Sequence, residues 1–197
     1  MEHLLYSDGV LENVASHIQL DQEEARHFLS LLTEKELPRK TLLLKEGQLC
    51  RELNYVHTGA LRAYYVDRQG KESTIMFAPA DWWVTDMYCF LQEQPAMMYI
   101  EAIEDSHILQ ITRTHFDSLF RNIPKFERFF RILMQNAYTR EQLRIIENLS
   151  LPAKERYDNF LNKYPHIARA VTQKQIASYL GITPEFLSAI RKGKTIS

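Results

Sequence analysis

Between Thr172 and Lys192 nearly every residue answers to one local geometry. Thr172, with Gln175 three residues on, forms a capping box that starts a helix running to Leu180. Ala177 leaves room for a second helix to cross close by, and Gly181 supplies the left-handed turn residue that lets two helices meet steeply. Thr183 then caps a second helix, Pro184 suits its first position, and Glu185 favours its positive end. Ile176, Leu180, Ile182, Leu187 and Ile190 point inward, while Glu185, Ser188, Ala189 and Lys192 share the outer face at i, i+3, i+4 and i+7. An ordinary helical hairpin also uses Ala, Gly and a cap. The full spacing instead predicts a helix-turn-helix whose second helix enters a major groove.

Charge supports that reading. From Leu151 onward eight basic residues face three acidic ones, Glu155, Asp158 and Glu185, a balance of +5; residues 1–150 hold 16 basic and 22 acidic side chains, a balance of −6. Only the C-terminal end of such a chain suits a polyanion. The remaining composition is that of a folded globular protein, with 45% apolar and 25% charged residues. No run approaches the length of a membrane helix, and Met1–Asp8 lacks an export signal, which predicts a cytoplasmic chain without membrane contact. Cys50 and Cys89 form no CxxC pair, and His57, His107 and His115 are scattered, so no metal and no cofactor is expected.

Ahead of the basic module, Asp21-Gln22-Glu23-Glu24 opens a helix carrying Ala25, Phe28, Leu29 and Leu32. Short β-like runs follow at 41–44, 52–57, 60–66, 73–77, 97–102 and 106–112, with turns at Glu46-Gly47, Thr58-Gly59 and Asp67–Gly70. This pattern predicts a small barrel or jelly-roll sandwich. Helix resumes at Arg113–Asn122, and nothing breaks a second helix from Lys125 to Leu149, about 37 Å at 1.5 Å per residue. Its apolar stripe, interrupted by Arg140 and Arg144, packs partly on its own barrel. The part through Phe126, Phe130, Leu133 and Ala137 is read as a seam with the same helix of a second subunit. Helices at 153–163, 172–180 and 184–192 complete an α+β chain. Its segments are an effector domain at 1–122, a dimerisation helix at 123–150 and a DNA-binding domain at 151–197.

A β-roll, a long connecting helix and a helix-turn-helix in this order resemble the cyclic-AMP receptor protein and fumarate–nitrate regulator (Crp/Fnr) family. Lys45-Glu46-Gly47, Leu53–Gly59 and Asp67–Glu72 look like that family's successive strand-turn segments. The resemblance implies a double-stranded jelly-roll of the cyclic-nucleotide-binding type. It also implies a homodimer on a palindromic operator in double-stranded DNA, with RNA polymerase as a further partner. The family's nucleotide pocket uses a Gly-Glu pair and then an Arg-Ser or Arg-Thr pair. Val84-Thr85 and Ala96-Met97 stand there instead, which removes the fixed positive charge for a phosphate and predicts no tight binding of cyclic AMP. An unknown small-molecule effector then meets aromatic and methionine side chains such as Trp83, Met97 and Tyr99, with Arg62 or Thr85 as polar handles, unless these residues simply fill the barrel. On the DNA side Pro184 and Ala189 replace the family's arginines, so the operator differs. Glu185 and Ser188 face the bases, and Gln173, Lys174, Thr183, Arg191, Lys192 and Lys194 grip phosphates. Two other readings stay open at this point: a cupin-like barrel metalloenzyme, and a helical module that binds another protein.

Overall fold

The computed structural model describes residues 7–193. Two helices, α1 (Ser7–Ala15) and α2 (Gln22–Ser30), precede the strands. The Asp21 carboxylate accepts from the Glu23 and Glu24 N–H groups, and the Glu24 carboxylate accepts from Asp21 in return, so the expected helix start is a full capping box. Eight strands follow: β1 (Leu32–Leu37), β2 (Leu42–Leu44), β3 (Glu52–Thr58), β4 (Ala60–Val66), β5 (Glu72–Pro79), β6 (Trp83–Val84), β7 (Tyr99–Ala102) and β8 (Ser106–Thr112). A short helix, α3 (Met87–Gln92), lies between β6 and β7. The strands form two four-stranded antiparallel sheets, ordered β1-β8-β3-β6 and β2-β7-β4-β5.

The sequence reading carries the first helix to Leu32 and starts no strand before Thr41, whereas β1 occupies Leu32–Leu37. Its Thr33-Glu34-Lys35-Glu36 core shows no alternation because β1 is a sheet edge, paired only with β8, with all four side chains exposed. Charged residues belong on such an edge, where they discourage pairing with other chains. At the β3–β4 turn Gly59 has φ +81°, and a Cβ there would run into Ser106 and the Asp105 carbonyl.

The helices α4 (Arg113–Asn122) and α5 (Lys125–Ser150) close the roll. Phe126 packs 4.7 Å from Phe28, and Phe130 lies 4.8 Å from Phe116 and 5.5 Å from Trp83, ring centroid to centroid. The expected seam therefore needs correcting at this end: Phe126 and Phe130 are buried in their own barrel, and Leu133 packs half-buried on the same core. The first turns of α5 cover an apolar face that no strand covers, at roughly 1.5–3 kcal/mol per buried phenylalanine.

After Pro152 come α6 (Ala153–Lys163), α7 (Pro165–Ala170), α8 (Gln173–Leu180) and α9 (Pro184–Arg191). The sequence reading treats Tyr164–Val171 as a link; α7 forms there because Pro165 takes the first helical position. These four helices do not hang free. Phe160, Tyr164, Ile167, Ile176, Ala177, Leu180 and Leu187 share one buried cluster with Ala60, Phe77 and Ile103 of the β-roll, and Trp82 borders both this cluster and the main core. Among the described residues no helix is long and apolar enough to cross a membrane.

Candidate nucleic-acid interface and effector groove

Helices α8 and α9 have the caps their sequence demands. The Gln175 N–H donates to Thr172 Oγ1 at 3.2 Å, and the Thr172 N–H donates to Gln175 Oε1 at 2.9 Å. Gly181 closes α8 at φ +67°, and Thr183 Oγ1 accepts from the Phe186 N–H at 3.2 Å. Buried Leu187 seats α9 in the same cluster as Ala177. Gln173, Lys174, Thr183, Glu185, Arg191 and Lys192 are exposed and Ser188 is half-buried, while Lys194 lies outside the described residues. Thr183 is engaged as a cap and Lys174 leans toward Glu72, with 3.8 Å between Nζ and Oε1.

A second site opens between the roll and α5. It is a groove of about 490 Å3 bordered by Trp83, Thr85, Met87, Tyr88, Met97 and Met98 on one side and by Met134, Ala137, Arg140 and Glu141 of α5 on the other. With Met76 included, all five methionines beyond Met1 line it. Methionine side chains are flexible and polarisable, so such a wall adapts to apolar ligands of varied shape. Thr85 is not a free handle: its hydroxyl donates to the Glu52 carbonyl at 2.8 Å and sits 3.1 Å from Cys50 Sγ. Burial pushes the Cys50 and Cys89 thiols up, which keeps both protonated at neutral pH.

Of the five residues expected around an effector, Trp83, Thr85 and Met97 line this groove, and Arg62 and Tyr99 do not. Tyr99 stacks on Tyr64 at 5.3 Å and donates to Glu46 Oε2 at 3.3 Å. Arg62 is 2% exposed and lies on the opposite face of the sheet, beneath the C-terminal helices. It donates through Nε to Thr74 Oγ1 at 2.9 Å, through Nη1 to Glu101 at 2.9 Å and through Nη2 to Glu72 at 2.7 Å. Arg62 and Tyr99 share one face of the β2-β7-β4-β5 sheet, whereas Trp83 stands on β6 of the other sheet and Thr85 and Met97 lie in the segment between β6 and β7.

Helix α5 also shows what its two interrupting arginines do. Arg140 lies 4.1 Å from the Trp82 ring and Arg144 5.3 Å from the Tyr179 ring, and Arg144 pairs with Glu141 at 2.9 Å. Each cation–aromatic contact contributes on the order of 0.5–2 kcal/mol. Met134, Tyr138, Ile145, Ile146 and Leu149 stay exposed, Tyr138 at 71% and Leu149 at 85%. Among the described residues no three of His, Cys, Asp and Glu converge as a metal site.

Residues 34–122 match the cyclic nucleotide-binding domain family. Over 184 residues the chain is 23% identical to the anaerobic regulatory protein of Pasteurella multocida, covering 87% of this chain and 66% of that one. It is 22% identical to the regulatory protein HlyX of Actinobacillus pleuropneumoniae, over 87% of this chain and 75% of HlyX. The fold is that of the c-di-GMP-responsive regulator CLP of Xanthomonas campestris, with a TM-score of 0.73 at 14% identity over 88% of this chain and 91% of CLP. FixK2 of Bradyrhizobium japonicum gives 0.72 at 18% identity, covering 82% and 83%. In sequence and in fold the chain is similar to regulators of the Crp/Fnr type. These relatives are regulatory proteins, not enzymes.

The segment from β6 to β7 beside the groove holds a carboxylate that sequence reasoning missed. Asp86 is completely buried and caps α3, accepting from the Cys89 N–H at 3.3 Å. Its other oxygen accepts from the Met97 N–H at 2.8 Å and the Met98 N–H at 3.2 Å. Backbone donors that suit an anion are thus already taken by an anion of the chain itself. The signal was present in sequence as an Asp immediately before a helical run, which marks an N-cap. Its two further donors, eleven and twelve residues away, are visible only in three dimensions.

Proposed function

We propose that this protein is a homodimeric, sequence-specific DNA-binding transcription regulator whose effector groove takes an uncharged apolar or aromatic ligand in place of a cyclic nucleotide. The observation that carries the reading is the helix-turn-helix: two capped helices about a left-handed Gly181, with Gln173, Glu185, Arg191 and Lys192 exposed on a module of net charge +5. On this reading residues 1–122 sense, 123–150 dimerise and 151–197 read DNA. Glu185 accepts from a cytosine amino group, and Lys192 and Arg191 hold phosphates.

The dimer seam belongs on the exposed face of α5. Tyr138, Gln142, Ile145 and Leu149 follow one another at spacings of four, three and four residues, the alternation of a two-helix coiled coil, and exposed Met134 lies one turn before them. That face lies beside the groove, since Met134 belongs to both. The Asp86 carboxylate argues against a phosphate ligand, because a second negative charge would meet it in a poorly solvated site.

Binding of the purified protein to fragments of its genome, followed by fluorescence anisotropy at several salt concentrations, tests the reading. It expects a short palindromic site and an affinity that falls steeply with salt. Absence of salt-dependent DNA binding would favour the protein-interaction alternative.

A further inference from the structure

The Arg62 cluster joins the sheet to the DNA-reading module, and each of its partners also touches α8. Glu101 accepts from Gln175 Nε2 at 3.3 Å, and Glu72 lies 3.8 Å from Lys174 Nζ. The Thr74 hydroxyl accepts from Arg62, so its proton goes to Ser178 Oγ at 3.0 Å. Ser178 in turn accepts from the Thr74 N–H at 2.7 Å and donates to the Glu72 carbonyl at 3.0 Å. A buried guanidinium with three oriented donors is thereby coupled to the first helix of the helix-turn-helix.

The strand that makes this latch is irregular at one place. β4 pairs Ala63 with Met76 and Tyr64 with Thr74, so Ile75 is the extra residue of a β-bulge. The bulge resets the alternation: Ile75 and Met76 both line the groove, while Thr74 and Glu72 face α8. Without the extra residue Thr74 would turn to the other face.

Resting on the DNA-binding reading above, we infer that Arg62 is a positioning residue for DNA recognition. It fixes α8 against the effector sheet, and the Ile75 bulge is the point at which contents of the groove act on that latch. A ligand pressing on Ile75 or Met76 moves the backbone of Thr74, whose N–H holds Ser178. The two recognition helices of a dimer must stand about 34–36 Å apart to read adjacent half-sites, so a shift of α8 changes operator binding without touching a base contact.

The test is hydrogen exchange of the α8 amides in the full-length protein, together with binding to operators carrying normal and lengthened half-site spacing. Arg62→Lys keeps the charge between the carboxylates and loses the three-way geometry. It should leave β3 and β8 protected, raise α8 exchange about tenfold or more, and reduce the spacing preference to within about threefold while affinity for a single half-site stays within about twofold. Ser178→Ala breaks the latch from the helix side and should reproduce the α8 result even if Arg62→Lys fails to fold. Ile75→Ala should raise α8 exchange in the parent protein and add nothing in the Arg62→Lys or Ser178→Ala background. Unchanged α8 exchange in Ser178→Ala and in folded Arg62→Lys, or an Ile75→Ala effect that is simply additive, overturns the inference. If the parent protein binds no DNA, the regulator reading fails, and exchange alone still decides the latch.

Discussion

Glu185 and Lys192 are both exposed and lie seven residues apart, in the first turn of α9 and at its C-cap, yet their chemistry divides them. A carboxylate in the first turn accepts hydrogen bonds from a base edge, whereas an ammonium at the far end meets phosphate. Glu185→Ala should relax preference at one base pair per half-site by about 1–3 kcal/mol, and Lys192→Ala should weaken all sequences alike and lower the salt slope by about one. Anisotropy titrations against single-base operator variants distinguish the two, and identical profiles would remove Glu185 from the base contacts. A second residue-scale consequence concerns pH. Burial, helped by the Glu101 and Glu72 carboxylates, pushes the Tyr64 phenol from 10.0 up to about 12, and burial also raises Tyr55 and Tyr179. The fold favours the protonated phenol, so its contribution is complete below the unfolded value of 10.0 and is lost as pH rises through about 12. Thermal unfolding midpoints should fall over that window, and Tyr64→Phe should flatten the fall.

Among the elements, α5 has three separate jobs along its 26 residues. Its first turns close the barrel through Phe126, Phe129 and Phe130, its middle walls the groove through Met134 and Ala137, and its Arg140 and Arg144 meet Trp82 and Tyr179. Tyr138, Ile145 and Leu149 stay exposed and are the side chains the proposed dimer seam would use. Substitutions should therefore separate folding from assembly. Leu133→Glu places a charge against the barrel core and should destabilise the fold by several kcal/mol. Ile145→Glu should leave the thermal transition of the roll intact while sedimentation shifts from dimer toward monomer. A tight dimer in Ile145→Glu would move the seam elsewhere.

For the whole molecule, the β-roll and the C-terminal helices share a buried cluster, so on the proposed reading ligand and DNA would act on one body and not on beads joined by a tether. Binding to the folded state raises stability by about 2.7 kcal/mol when ligand exceeds its dissociation constant a hundredfold. Cyclic AMP at about 1 mM should leave the melting temperature unchanged, since Asp86 already holds the Met97 and Met98 N–H groups. A shift of several degrees would show that the groove accepts a phosphate beside that carboxylate. Asp86→Asn should not create cyclic AMP binding, because the amide supplies no fixed positive charge.

Where a few neighbouring residues decide the outcome, the amino-acid sequence was sufficient. The Thr172 capping box, left-handed Gly181, the Thr183 cap and the unbroken run from Lys125 all follow from local geometry, and each is found in the structure. The same holds for the order of roll, long helix and helix-turn-helix. Only the tertiary structure decided which face each side chain took. β1 is a strand because β8 offers its edge, although Thr33-Glu34-Lys35-Glu36 has no strand pattern of its own. Phe126 and Phe130 have the spacing of an intersubunit seam, but an uncovered barrel within the same chain claims them first. Arg62 and Trp83 look alike as pocket candidates, but Arg62 on β4 turns to the latch, where the Ile75 bulge aims Thr74 as well, while Trp83 stands on β6 of the other sheet and lines the groove. Helical caps and turns depend on contacts three to five residues apart, which a sequence displays directly. Burial and facing depend on partners tens of residues away, and those are fixed only when the sheets have closed.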